Sequence, residues 1–173
     1  MEEATYDFSR FNLDQAYQTL GDEYAIIFKW HPALYNNIRF GIEKAYDLEK
    51  YPGFAYDLSP MREINDLLFI TDILITDYSS CAGDFVLTGR RVILYQPDRA
   101  DFVRDDRALY MDPSQTGYRI AQSLSELEAH LTSSEDDRAR DEAILRYYGA
   151  VESGHAAQSV AEYISSALSA VQH

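Results

Sequence analysis

Between Ile70 and Asp84 the chain reads Ile-Thr-Asp-Ile-Leu-Ile-Thr-Asp-Tyr-Ser-Ser-Cys-Ala-Gly-Asp, an order that few folds accommodate. From Asp72 to Thr76 the apolar run is short and continuous, the pattern of a strand buried on both faces of a parallel sheet. The run stops at Asp77, Ser79 and Ser80 follow, and Cys81 to Leu87 predicts the first turns of a helix. A strand that ends in small hydroxyl residues and turns into a helix aims unpaired backbone N–H groups at one spot. Those groups and the helix dipole favour a phosphate there. The alternative is that Ser79 or Ser80 is only an N-cap.

The 173 residues suit one domain able to bury a substantial core, and an apolar content of 46% predicts a globular chain. No run reaches the ~18 apolar residues of a membrane span. Met1-Glu-Glu-Ala-Thr lacks the basic and apolar regions of a signal peptide. Cys81 is the single cysteine, so there is no disulfide partner within the chain, and no Cys/His cluster has zinc spacing. A reducing cytoplasm is the natural compartment, and no metal site or cofactor is expected. The net charge of −14, from 29 acidic against 15 basic residues, repels nucleic acid and anionic lipid, so no nucleic-acid partner is expected. Arg90, Arg91, Arg99, Arg104 and Arg107 give local positive charge. They are read as solvated surface residues that flank the phosphate turn in sequence and could face an anion.

Residues 1–11 form an arm with apolar anchors at Tyr6, Phe8 and Phe11. Asn12 and Gln15 make a capping pair ahead of Leu13, Ala16, Tyr17 and Leu20, which recur at helical spacing up to Gly21. Tyr24 to Phe28 is a strand ending in Lys29-Trp-His-Pro32. Across residues 34–47, Leu34, Ile38, Ile42 and Ala45 fit a helical face that Gly41 interrupts. Phe54 to Tyr56 is a short strand, and Ser59 with Pro60 predicts a helix start, cap then first-turn proline. Ile64, Leu67, Leu68 and Thr71 continue that helix. Beyond Gly89, Val92 to Tyr95 is the next strand, broken by Gln96-Pro97-Asp98. A small strand is expected over Ala108 to Met111. The remainder reads as helical: Ser123 to Leu131, Ser134 to Tyr148 with early acids that suit the helix dipole, and Gly154 to Val171.

Strands alternating with helices predict right-handed βαβ units and a mostly parallel, Rossmann-like α/β sheet flanked by helices. Such sheets bind ligands beyond the carboxyl ends of their strands. His31, Asp57 to Ser59, Asp77 to Ser80 and Gln96 all fall at such ends, which implies one cleft for a nucleotide or phosphorylated ligand.

The ordered set Lys29-Trp-His-Pro, Tyr56-Asp-Leu-Ser, Ile64-Asn-Asp-Leu-Leu, Thr71-Asp-Ile-Leu-Ile-Thr-Asp-Tyr-Ser-Ser with Asp84, and Arg91-Val-Ile-Leu-Tyr resembles one family. It is similar to the carboxyl-terminal half of the CDP-glycerol glycerophosphotransferases, the teichoic-acid polymerases and primases of bacterial walls. Arg104 to Asp112 and Gly154 to Val160 extend the likeness over roughly residues 20–168. The resemblance implies a GT-B arrangement of two Rossmann-like halves, with residues 1–173 as a single donor-nucleotide-binding domain, a fragment of a larger enzyme and inactive alone. The implied donor is CDP-glycerol or a related CDP-polyol. An acceptor hydroxyl attacks its β-phosphorus and CMP leaves. The acceptor, a membrane-anchored teichoic or capsular polymer, is met through the missing amino-terminal half, which places the full enzyme at the inner face of the bacterial membrane. GT-B enzymes as a group need no metal, so none is expected here.

By the same resemblance His31 is the catalytic candidate, as a hydrogen-bond donor to the leaving group or as an acid. Ser79 and Ser80, flanked by Tyr78 and Asp77, would hold the phosphates, with Asp77 orienting the loop. Tyr56, Asp57 and Ser59 would meet the cytosine. Asp66 would bind ribose or glycerol hydroxyls, or else lie on a helix surface. Lys29, Asp84 and Gln96 would support the site. His130 is expected at the surface and His155 at a helix start. Gly83, where the family carries an aromatic, and Ser153-Gly154, in place of Asp-Gly, leave the transferred polyol open. A nucleotide-sugar glycosyltransferase or epimerase half, and a non-catalytic nucleotide-binding module, are the rival readings.

Overall fold

The computed structural model describes residues 7–61, 63–106, 112–151 and 153–171. Its described strands are all parallel. β1 (Ile26–Phe28) pairs with β2 (Ala55–Asp57), Ile26 opposite Ala55. β3 (Ile73–Thr76) pairs with β4 (Arg91–Tyr95), and β4 with β5 (Arg119–Ala121), in the registers Ile73 to Arg91 and Ile93 to Arg119. The helices are α1 (Leu13–Leu20), α2 (Pro32–Arg39), α3 (Ile64–Ile70), α4 (Cys81–Val86), α5 (Arg99–Asp101), α6 (Leu124–Leu131), α7 (Arg138–Tyr148) and α8 (Ala156–Val171). This is the expected α/β class, helices on both faces of parallel strands.

The middle of the larger ladder is β4. Ile93 faces a cluster with Leu13, Ala16 and Leu20 of α1, Leu124, Leu127 and Leu131 of α6, and Phe54. Val92 and Leu94 face the other way, onto Ala82, Phe85 and Val86 of α4 and Ile144 of α7. The alternation of side chains along one strand thus builds both layers. The continuous apolar run of β3 predicted burial on both faces, but its residues are only half-buried, because β4 is its single ladder partner among the described strands.

Several expectations are corrected. Helix α2 spans Pro32–Arg39, with His31 as its cap and Pro32 in its first turn. It stops before Gly41, whose φ of 70° is left-handed, so Ile42 lies outside it and exposed. Ser59 does not start a helix. It is committed to the ends of β1 and β2, and α3 begins at Ile64. The acidic stretch from Ser134 is not helical, since α7 begins only at Arg138. The strand β5 carries no apolar signature of its own, because buried Arg119 interrupts the pattern. The strand expected over 108–111, and Tyr6 and Arg107, lie outside the described residues.

Arg90 and Arg91 are fastening residues, not solvated ones. The Arg90 guanidinium donates to the carbonyls of Leu68, Phe69 and Thr71, closing the end of α3, and lies over the Phe85 ring. Arg91 pairs with Asp137 at 2.6 Å and donates to the carbonyls of His130, Leu131, Ser133 and Glu135. Arg119, 4% exposed, also pairs with Asp137 at 2.6 Å and with Glu135 at 3.2 Å. His130, expected at the surface, is half-buried with Nε2 3.1 Å from the Ile120 carbonyl oxygen.

Gly117 has φ 107°, and a Cβ there would meet the Arg140 carbonyl oxygen at 3.1 Å and the Ala143 Cβ at 3.3 Å. Gly117→Ala therefore adds backbone strain to a clash with the backbone of α7. The expected loss is about 2–4 kcal/mol of unfolding free energy, read by urea denaturation. Beside it, Val92, Gly117, Arg119, Asp137, Arg140, Asp141 and Ile144 line a cavity of about 10 Å³, room for roughly one water.

In that wall Asp141 is pushed up to about 6, first by burial and then by the charges of Asp137 and Asp136, even though Arg119 and Arg140 line the same space. Between the ordinary 3.8 and about 6 the folded chain holds a proton that the unfolded chain has lost. Stability therefore falls as pH rises through that window, and the penalty is complete above it. Asp141→Asn is expected to raise the melting temperature by roughly 2 °C at pH 7.5 and to leave it unchanged at pH 4, a small effect because the carboxyl is partly solvated.

Candidate functional site

The carboxyl ends of four parallel strands carry the candidate residues, and hydrogen bonds draw them into two groups. At the ends of β1 and β2, Lys29 Nζ donates to the Ser59 carbonyl at 3.0 Å and to that of Met61 at 2.5 Å. The Trp30 amide donates to Ser59 Oγ at 2.9 Å. The Ser59 amide in turn donates to Asp57 Oδ1 at 2.8 Å, an Asx turn. Ser59 is buried and its hydroxyl oxygen already accepts from the chain, so it shapes the wall of the site. Tyr56 is 46% exposed and stands open to a ligand.

His31 sits exposed at the head of α2, where its Nδ1 accepts from the Ala33 amide at 3.3 Å. Accepting at Nδ1 assigns the neutral ring's hydrogen to Nε2. The cap therefore presents Nε2–H outward, next to the positive end of the helix, as a donor for anionic oxygen.

At the ends of β3 and β4 the second group forms. Gln96 is fully buried, with Nε2 donating to the Asp77 carbonyl at 2.9 Å and its amide to the Ala121 carbonyl at 2.8 Å. Its Oε1 accepts from Arg99 at 2.9 Å, and Arg99 pairs with Asp112 at 2.5 Å. Asp77 Oδ1 accepts from the Tyr78 amide at 2.6 Å. The Tyr78 hydroxyl donates to Asp98 Oδ1 at 3.0 Å, and its ring stacks on Phe102 with centroids 3.7 Å apart. Burial, then the Asp98 bond and charge, pushes the Tyr78 phenol well above its usual range.

Ser79 and Ser80 are exposed at the turn into α4. Here the expected amide cradle is narrower than the sequence implied. The amides of Ala82 and Gly83 donate to the carbonyls of Ser79 and Ser80, and that of Cys81 leans on Ser79 Oγ at 3.4 Å. Among the described residues no acceptor stands against the Ser79 and Ser80 amides. Ser80 is the N-cap residue in position, but its side chain makes no capping bond. Asp66, in the first turn of α3, and Asp84, in that of α4, are exposed and make no bond to either group.

Arg99, expected as a solvated residue that could face an anion, is instead turned onto Gln96 and Asp112, and Asp98 and Arg10, which pair at 2.7 Å, were missed as site residues. Gln96-Pro97-Asp98 reads in sequence only as the end of a strand, and nothing local shows that residue 98 returns to residue 78.

A family model described as CDP-glycerol:poly(glycerophosphate) glycerophosphotransferase matches residues 2–166. The chain is 38% identical over 111 residues to a teichoic acid poly(ribitol-phosphate) polymerase of Bacillus spizizenii, covering 64% of this chain and 17% of the relative. It is 28% identical over 163 residues to a teichoic acid poly(glycerol phosphate) polymerase of Staphylococcus epidermidis, covering 90% of this chain and 21% of the relative. A structure of the wall teichoic acid polymerase TagF superposes with a TM-score of 0.70 at 26% identity, over 98% of this chain and 43% of that one. A TagF variant soaked with CDPG gives 0.71 at 25% identity, over 100% of this chain and 42% of that one. The chain thus spans about two fifths of the solved polymerase structures and a smaller share of the curated relatives. With the family model covering nearly its whole length, this chain belongs to the CDP-glycerol:poly(glycerophosphate) glycerophosphotransferase family, a family of transferases.

Proposed function

We propose that this chain is the donor-binding half of a polyol-phosphate transferase, which takes CDP-glycerol or a related CDP-polyol and, within a two-half enzyme, passes the polyol phosphate to a polymer hydroxyl. The observation that carries the reading is the exposed Ser79-Ser80 turn at the carboxyl end of β3, whose two amides meet no acceptor among the described residues. The diphosphate sits against those amides, and Nε2–H of His31 donates to the oxygen that leaves with CMP. The acceptor oxygen forms the new bond to the β-phosphorus as the bond to the CMP oxygen breaks, and the hydroxyl proton leaves to solvent. Catalysis of this kind is positioning and charge stabilisation. Tyr56 and the backbone through Ser59 line the base side, and Asp66 offers a carboxylate to ribose or glycerol hydroxyls.

The share of each relative that the chain covers supports the two-half reading, as does α8, whose Val160, Tyr163, Ile164 and Leu168 recur along one face and are all more than half exposed. The acceptor would be met by the other half, at the membrane surface. No helix among the described residues is long and apolar enough to cross a membrane.

Calorimetry with CDP-glycerol, CDP-ribitol and UDP-sugars tests the donor. Binding of CDP-polyols alone is expected, and binding of UDP-sugars alone would reject the reading in favour of a sugar transferase. Relatives acting on ribitol and on glycerol phosphate both occur, so the two CDP-polyols are compared directly. His31→Ala in the two-half enzyme is expected to lower kcat by about 100-fold or more and donor affinity by less than about threefold. The opposite split would make His31 a ground-state contact.

A further inference from the structure

We propose that the arm of residues 7–11, acting through Asp98, is a positioning device that sets the Ser79-Ser80 turn relative to His31; the proposal deepens the donor-binding reading and rests on it. Asp98 is shared between two partners. Its Oδ1 accepts from the Tyr78 hydroxyl at 3.0 Å, and its Oδ2 pairs with Arg10 Nη1 at 2.7 Å. Tyr78 is held again by its stack on Phe102, nearly parallel at 6°. Its hydroxyl hydrogen and one ring face are thus both engaged within the chain, so Tyr78 acts on the donor through the next residue, Ser79.

The arm is itself fixed at both ends of the site. The Tyr95 hydroxyl, at the end of β4, donates to the Arg10 carbonyl at 2.5 Å, and Asp7 lies 3.6 Å from the Arg10 guanidinium. Phe8 packs edge-on against Trp30, the residue before His31, with centroids 5.5 Å apart. Phe11 sits edge-on to both Phe28 at 6.5 Å and Tyr95 at 5.9 Å. The Tyr46 hydroxyl is within 2.7 Å of the Phe8 carbonyl oxygen and 2.8 Å of that of Phe11. One short segment therefore touches the strand end that leads to His31 and the end of β4, beyond which Asp98 reaches Tyr78 next to the phosphate turn. Charge points the same way. A carboxylate this near an anionic donor repels it, and Arg10 offsets that charge where it stands.

The test uses the 173-residue chain with Tyr78→Phe, Asp98→Asn, Arg10→Ala, Arg10→Lys and the double variant of Tyr78→Phe with Arg10→Ala. Without ligand, hydrogen exchange is followed at the Ala82 and Gly83 amides, which close the turn, against amides of β4 and α6. With CDP-glycerol, affinity is read by calorimetry. Tyr78→Phe, Asp98→Asn and Arg10→Ala are each expected to speed exchange at the turn and to weaken affinity about tenfold, the loss of one bond to a charged group. Exchange in β4 and α6 stays unchanged and Arg10→Lys restores most of the affinity. The double variant is no weaker than the worse single, although the two residues hold opposite oxygens of Asp98, because one connection is cut twice. Multiplying losses in the double variant, unchanged exchange at the turn, or tighter binding in Asp98→Asn would each overturn the coupling. Should the parent chain bind no CDP-glycerol at millimolar concentration, the donor reading fails while the exchange measurements still decide whether the arm governs the turn.

Discussion

Leucine at both Ser79 and Ser80 is expected to weaken CDP-glycerol binding by more than about 100-fold, with a melting temperature within ~3 °C of the parent chain. The two effects separate because the serines are exposed and contribute little to the fold. Among the described residues, the only side-chain bond at stake is the one from the Cys81 amide to Ser79 Oγ at 3.4 Å. The buried face of α4, made of Ala82, Phe85 and Val86, is untouched. Binding depends instead on phosphate oxygens coming within about 3 Å of the Ser79 and Ser80 amides, an approach that two branched side chains cover. Each lost bond to a charged oxygen is worth about 1.5–3 kcal/mol, so two suffice for the expected loss. Calorimetry and a thermal melt on the same preparation check it, and unchanged affinity would place the phosphates elsewhere.

The largest effect on stability is expected from Asp137→Ala, a loss of about 3–5 kcal/mol by urea denaturation. That carboxylate answers two guanidinium groups, Arg91 and Arg119, each at 2.6 Å, and Arg140 approaches at 3.9 Å. Removing it leaves Arg119, 3% exposed along its side chain, with Glu135 alone at 3.2 Å. Burial by itself raises the Asp137 carboxyl, but the bonds and charges of Arg91 and Arg119 outweigh it and hold it below the ordinary 3.8. A depressed carboxyl contributes stability that is in place above 3.8 and is lost as pH falls through the folded value. The cost of Asp137→Ala is therefore expected to shrink below about pH 3.5, the reverse of the behaviour at Asp141. Preservation of the full difference at pH 2.5 would show that the ion pairs do not supply it.

The difference between these two aspartates, four residues apart, shows what a linear reading can carry. Ser134 to Tyr148 read as one helix with a favourable acidic start, a local rule about dipoles. In the structure the acids at 135 and 137 leave the helix to meet arginines on β4 and β5, which are close only once the sheet has formed. The same pairing buries Arg119 in a strand that its own pattern disguised. Ser59-Pro60 failed for a similar reason, since its cap hydroxyl was taken by the Trp30 amide across the β1 and β2 ends.

What the sequence determined by itself is the order of the first four strands and the placement of His31, Ser59, Ser79 and Gln96 at strand ends. Those follow from the spacing of apolar residues and from where each run breaks, information that lies within a few positions of each residue. Only the tertiary structure decided which strand is the middle one, and that Gln96, Asp98 and Arg10 hold the turn from behind. A buried strand needs helices on both faces, and a buried polar group needs a partner. Those neighbours come from residues up to 85 or more positions away, as Arg10 and Tyr95 do, and no local pattern encodes a contact that the chain makes only by closing on itself.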